Sequence, residues 1–556
     1  MARMLIGLAG LFASCGWTQP TAEPQTPPAA SSYDPLVIAV GYDLYSVMSV
    51  ATDSALDETI IEATTFPMLD FDFDCRIESR PALVTDWAWS EGGTVLSMTL
   101  RSDISFSDGD RVTAEDVALT YQLAADPSLQ SPHEGEVMRM SPGEGPRVID
   151  DTHLRWRFTE PYNRALQLDQ ATSLGILPAH LLGKMDRPTV LQYAGVLPPL
   201  ASGPWAMSDH VPNVGFTLTP NPQFTGPDTW RPTLDGVEFR ILPDYGARLE
   251  ALETGDVHVM TQVKFEDANT LAQAHPEITL YRRSSQSIDY VAWNTERPLF
   301  ADARVRQALT LAIDIDAIIA SELTSVDGTP YATRATSTIS PDLCDLHNPD
   351  VQLLPHDPQR ALTVLAEAGW TDTDGDGTLD RGGLPFSFEL VTVTGNPRRA
   401  ATLAAIARDL GLIGIHVDVA VQPSGAFFER LRLRDYDAAI SGWSPSLFVD
   451  PEFLWHSDVT CDGSGPECRP ARYDYNFTGY SNPVVDDLLR RGSAASLPEV
   501  QAPIWRELQQ VIYSDQPYTF LWWNDEIVAV NDRFDPGDNV NLISPYDDLH
   551  EWRRRE

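Results

Sequence analysis

Residues 396–421, NPRRAATLAAIARDLGLIGIHVDVAV, set a helix and a strand back to back. Asn396 is a residue type that caps a helix, and Pro397 takes the first helical position, where its fixed φ is already suitable. The helix is predicted to run to about Leu410, with Gly411 as its stop. Immediately afterwards Ile415, Val417, Val419 and Val421 alternate with other residues, which is the period of a strand. The same device stands upstream. Asp357-Pro358 opens a helix whose Leu362, Leu365 and Ala366 form one apolar stripe, and Gly369 ends it. Further back, Thr113-Ala-Glu-Asp116 reads as a capping box opening a helix through Tyr121. Helix-then-strand units of this kind define an α/β protein.

The chain has 556 residues, enough for two or three packed units, and no repeat of solenoid period. Eighty acidic residues face 39 basic ones, a net charge of −41, and Lys184 and Lys264 are the only lysines. A polyanion binder needs a basic face, so nucleic acid is excluded as a partner, and anionic lipid would repel this surface. Past the N-terminus no apolar run is long enough to span a bilayer.

Arg3, a short apolar stretch from Met4 to Ala13, and Leu11-Phe12-Ala13-Ser14 before Cys15 are similar to a lipoprotein signal peptide. On that reading residues 1–14 are removed and Cys15 is acylated; an ordinary secretory signal is the alternative. Residues 15–33, rich in Pro, Thr, Ser and Ala, then form a tether. Export places the remaining cysteines in an oxidising compartment. Cys461 and Cys468 bracket the turn CDGSGPEC and are expected to pair; a bond between Cys75 and Cys344 is disfavoured because it would link two lobes.

Motifs of catalysis are missing. There is no G-x-S-x-G, no H-E-x-x-H and no nucleotide-binding G-x-x-x-x-G-K-[ST], so no catalytic residue and no cofactor is assigned. The eleven histidines are scattered without local metal-ligand spacing. Asp372, Asp374 and Asp376 resemble the start of a calcium loop, but Gly383 stands where the twelfth-position Glu belongs. Phe386, Phe388 and Leu390 then alternate as a strand, so an acidic turn is the preferred reading.

Several separate blocks carry a resemblance. Asp86-Trp-Ala-Trp-Ser90 leads through Phe106-Ser-Asp-Gly109 to Thr113-Ala-Glu-Asp-Val117. Ser202-Gly-Pro-Trp205, Leu252-Glu-Thr-Gly-Asp256, Trp293-Asn294, Val305-Arg-Gln-Ala-Leu309, Gly442-Trp443 and Gly479-Tyr-Ser-Asn-Pro483 follow in order. Over roughly residues 35–535 the chain resembles solute-binding protein family 5, the extracytoplasmic oligopeptide-, dipeptide- and nickel-binding components of ABC importers. The resemblance implies a type II clamshell of two α/β lobes with an extra subdomain. Here lobe I would be 34–284 with the subdomain at about 70–190, lobe II 285–515, and 516–556 a return to lobe I. It also implies a periplasmic or cell-surface monomer, anchored to the membrane through Cys15, that hands its ligand to membrane permease subunits. A metal-chelate binder, or an extracytoplasmic chaperone or sensor on the same fold, is the alternative.

Ligand residues are expected near lobe edges. Tyr42 and Tyr45 follow the first strand at its carboxyl end. By resemblance Ser202 and Trp205 lie in a cleft loop, Trp293 and Asn294 begin lobe II, and Trp443 to Phe448 form the main cleft loop. Peptide-binding relatives have an acid shortly after the Gly-Trp, to pair with a ligand ammonium. Here Ser446 stands about where that acid would be, Phe448 adds apolar surface, and Asp43 is a possible substitute acid. Arg398 or Arg399, at a helix start, suits an anionic group. A neutral or amphipathic solute is therefore expected rather than a free-amine dipeptide.

Overall fold

The computed structural model describes residues 33–52, 54–73, 77–141, 145–159, 164–194, 200–325, 328–444, 451–457, 475–537, 546 and 548–555. The predicted caps are in place. The Asn396 side chain accepts the Arg399 N–H at 3.0 Å, and its helix spans Pro397–Gly411. Asp357 accepts from Arg360 N at 2.9 Å for the helix Pro358–Glu367, and Gly369 takes φ +87° beyond its end. Asp116 reaches back to Thr113 N at 2.7 Å for the helix Ala114–Ala124. The strand after Gly411 is His416–Gln422. It ends the main sheet, so Val419 and Val421 stay about half exposed despite their alternation.

Among the described residues that main sheet has eleven strands. Its organisers are two long antiparallel strands, Ile278–Trp293 and Tyr518–Asn531. Residues 278–284 pair with 525–531, and 287–292 pair with 518–524. Beside the first half of this ribbon lie Val259–Met260, Leu36–Val40, Val237–Ile241, Gly215–Pro220 and Trp205–Val211. Beside the second half lie Ala438–Trp443, Ser387–Val393 and His416–Gln422. The two sets of neighbours give the two lobes of a mixed α/β clamshell, joined by the ribbon. Between the halves the register slips at Ser284/Ser287, where Gln286 adopts φ +52°. The flanking pairs Arg282–Asp525 and Arg283–Glu526 fasten the strands on the first side of that slip.

A separate antiparallel sheet, Val84–Ser90, Val95–Leu100, His153–Arg157 and Arg147–Asp150, falls within residues 70–190. Helix Ala114–Ala124 packs on it, with the Tyr121 ring edge-on to Trp156 at 4.4 Å. On the second lobe, Arg306 is buried and donates to the carbonyls of Phe300, Ala301, Asp515 and Gln516. It thereby ties helix Ala303–Ala312 to the end of helix Pro498–Asp515, just before the long strand returns.

The acidic stretch at 372–376 is an exposed turn. Its carboxylates accept backbone N–H groups of the turn itself, Asp372 from Gly375 and Gly377, Asp374 from Asp376, and Asp376 from Thr378. Cys344 is disulfide-bonded. Cys15, Cys75, Cys461 and Cys468 all lie outside the described residues, so the partner of Cys344 is among residues without a description. Among the described residues no helix is long and apolar enough to cross a membrane.

Candidate functional site

Just beyond the register slip the strand reads Ile288-Asp289-Tyr290-Val291-Ala292-Trp293, an acid inside an apolar run. Asp289 is only 1% exposed. A buried carboxylate must be paired, because stranding it costs several kcal/mol. Two arginines from the start of helix Pro397–Gly411 do this. Arg399 donates from Nη2 at 2.6 Å and from Nε at 3.0 Å to Asp289 Oδ1, and Arg398 Nη2 reaches Oδ2 at 3.3 Å. Gly442, paired across from Asp289 on Ala438–Trp443, leaves room for the Arg399 guanidinium.

Arg398 also crosses between lobes. Its guanidinium lies 5.5 Å from the ring centre of Phe265, on helix Phe265–Ala274, which precedes the ribbon. Its Nε is buried without a hydrogen-bond partner among the described residues. The cluster thus holds two guanidinium charges against one carboxylate, at the place where the lobes face each other.

Trp443, next to Gly442, is half-buried among aromatics. It stacks on Phe477 at 5.8 Å, meets Tyr475 edge-on at 5.0 Å and donates from Nε1 to Tyr518 Oη at 3.4 Å. Tyr518 stacks in turn on Tyr290 at 3.9 Å. Burial pushes the Tyr518 hydroxyl up to about 12 and Tyr290 well above its usual range, so both remain neutral hydroxyls. Tyr290 and Tyr518 are wholly buried, so Trp443 is the partly exposed member of this aromatic cluster, one residue along the strand from Gly442 and the arginine pair.

The other residues expected at the site divide. Tyr42 and Tyr45 follow strand Leu36–Val40 and are exposed, Tyr45 by 84%. Their neighbour Asp43 is fully engaged, accepting from His210 Nε2 at 2.8 Å, Asn213 N at 2.7 Å and Leu44 N at 2.8 Å. Burial opposes its ionisation, yet the bonds from Asn213, His210 and Leu44 outweigh it and hold its pKa below the usual value. Ser202 is buried, its hydroxyl accepting Phe66 N at 2.9 Å. Trp205 is wholly within the core. Trp293 is buried and donates to Thr519 Oγ1 at 3.0 Å. Asn294 is buried and donates to the carbonyls of Arg434 and Tyr436. In this conformation those four serve the interior. Ser446 and Phe448 lie outside the described residues. The sequence reading passed over Asp289, whose available signal was an acid within an apolar strand, and took Gly442 only as part of the Gly-Trp block.

A ribbon-joined pair of α/β lobes, with polar and aromatic groups gathered where they face each other, is the architecture of a solute-binding protein. The family model for bacterial extracellular solute-binding proteins, family 5, matches residues 78–465, and the chain belongs to this family. It is similar to the oligopeptide-binding protein AppA of Bacillus subtilis, 29% identical over 453 residues, covering 79% of this chain and 77% of that protein. Its fold matches the substrate-binding protein CtaP of Listeria monocytogenes with a TM-score of 0.78 at 19% identity, covering 94% of this chain and 99% of that one. It likewise matches NikZ of Campylobacter jejuni, solved with Ni(L-His), with a TM-score of 0.72 at 19% identity over 94% of this chain and all of that one.

Proposed function

We propose that this chain is the capture subunit of an ABC importer and takes a peptide-like or other amphipathic solute that is not anchored by a free ammonium group. The observation that carries the ligand reading is the state of the acids. Asp289 is neutralised by Arg398 and Arg399, and Asp43 is held by His210, Asn213 and Leu44. A buried ligand cation needs an available carboxylate, and neither acid supplies one. The unpartnered Nε of Arg398 instead favours an acceptor on the ligand, a carbonyl or a carboxylate. The partly exposed Trp443, backed by Phe477, suits an apolar or planar portion.

Binding would draw the lobes together about the slip at Ser284–Ser287; because residues 518–524 pair with 287–292 and 525–531 with 278–284, the return to the first lobe falls at about 525 rather than at 516 as the resemblance implied. The chain itself performs no chemistry; a monomer tethered by residues 15–33 from acylated Cys15 would present the closed form to the permease. Calorimetry with one peptide in free-amine and N-acetylated forms tests the ligand reading. Acetylation is expected to change affinity less than threefold, and a loss of a hundredfold or more refutes it. A titration with nickel–histidine chelate separates the metal-chelate alternative, which the same arginines would serve through the histidine carboxylate.

A further inference from the structure

Outside the cleft, three metal-ligating side chains converge beside the separate sheet. Asp108 and Asp110 flank Gly109, whose φ of +94° makes the tight turn that Phe106 closes through Phe106 N to Asp110 O at 2.8 Å and Gly109 N to Phe106 O at 2.9 Å. His180 comes from the short helix Ala179–Leu182, which is pinned by Ala179 N donating to Asp116 Oδ1 at 2.6 Å. Its imidazole lies against the Phe106 ring at 5.7 Å. His180 Nε2 stands 2.8 Å from Asp108 Oδ2 and 3.5 Å from Asp110 Oδ2.

We propose that Asp108, Asp110 and His180 form a second site, for a divalent transition-metal ion, independent of the solute cleft. Two observations carry this. The first is the donor set and its spacing. With a metal about 2.0–2.1 Å from each ligand atom, neighbouring ligand atoms fall roughly 2.9 Å apart at 90° and 3.4 Å apart at 109°. The two separations from His180 lie just either side of that range, and all three ligand atoms fall within 4.8 Å of one another. The pairing of one imidazole with two carboxylates selects zinc-like ions over calcium, which takes oxygen ligands. The second observation is access. Asp110 and His180 line a groove of about 820 Å³, together with Arg111, Glu115 and Lys184, so a bound ion would keep positions open on that side. A three-ligand site with an open position is the arrangement of metal sites that go on to bind something else.

Calorimetric titration of the tag-free, chelator-treated full chain with zinc chloride tests the site. One zinc per chain in the micromolar range is expected, weakened at least tenfold by His180→Gln and by Asp110→Asn. Asp110 is largely exposed, so its variant folds even if the imidazole variant does not. Arg398→Met should leave zinc binding unchanged, and calcium should bind at least tenfold more weakly than zinc. Absence of zinc uptake, uptake indifferent to both site variants, or calcium binding as tight as zinc overturns the proposal.

Discussion

Gly442→Ala is the sharpest probe of the cleft. A Cβ at this position would overlap Arg399 Nη2, approach Asp289 Oδ1 to 2.8 Å and meet the backbone oxygen of Ile288 at 2.9 Å. The backbone cannot yield within a paired strand, so the guanidinium must leave Asp289. Losing one partner of a buried ion pair costs about 3–5 kcal/mol. Here Arg398 remains beside the carboxylate and the Arg399 side chain keeps 20% exposure, which sets the expected loss nearer to about 2–3 kcal/mol. Urea unfolding followed by tryptophan fluorescence measures it, with Arg399→Met and the double variant completing a cycle. If the methyl acts through the guanidinium, adding Gly442→Ala to Arg399→Met should cost little more, a coupling of about 2 kcal/mol. Additivity within about 0.5 kcal/mol would refute the reasoning and place the damage in the strand alone.

Arg306→Met strands four carbonyl groups at the root of the returning strand and should lower stability by about 3–5 kcal/mol, read by urea unfolding. Asp43 has a depressed pKa when folded, so the stability it adds is present above its unfolded value of 3.8 and vanishes as pH falls through the lower folded value. Asp43→Asn should therefore destabilise the chain at pH 7 and have a shrinking effect below pH 3.8; an effect constant with pH contradicts the pairing. Cys344 sits beside helix Pro498–Asp515, its carbonyl accepting from Arg506, within the second lobe. Non-reducing peptide mapping should link it to Cys461 or Cys468 rather than to Cys75, displacing the pairing of Cys461 with Cys468 expected from their spacing. A Cys75–Cys344 peptide would contradict this.

The fold was readable where local chemistry decides it. Caps at Asn396, Asp357 and Thr113 act within one turn, and their residue types name the helix start without any tertiary information. The family blocks gave the order of the rest. Burial was readable less well: Val419 and Val421 alternate like a covered strand, yet lie at the sheet's end. The site was readable least. Arg398 reaches Phe265 across the ribbon and Trp443 stays half-buried among second-lobe aromatics, whereas Trp205, Trp293 and Asn294 fall in the same blocks and are consumed by packing. A block that repeats across relatives marks the scaffold as readily as the ligand. The Asp289–Arg399 pair joins positions 110 residues apart, and no local pattern announces it.

The ribbon also bears on how the chain is made. Met260 pairs with Ala529, so the first lobe's sheet has a gap until the distant strand Tyr518–Asn531 has been synthesised. The second lobe waits on the same strand, because residues 518–524 pair with 287–292 and Leu521 and Trp522 fill its core. A polypeptide whose two lobes stay open until one distant strand arrives remains threadable until then, the condition that passage through an export channel demands.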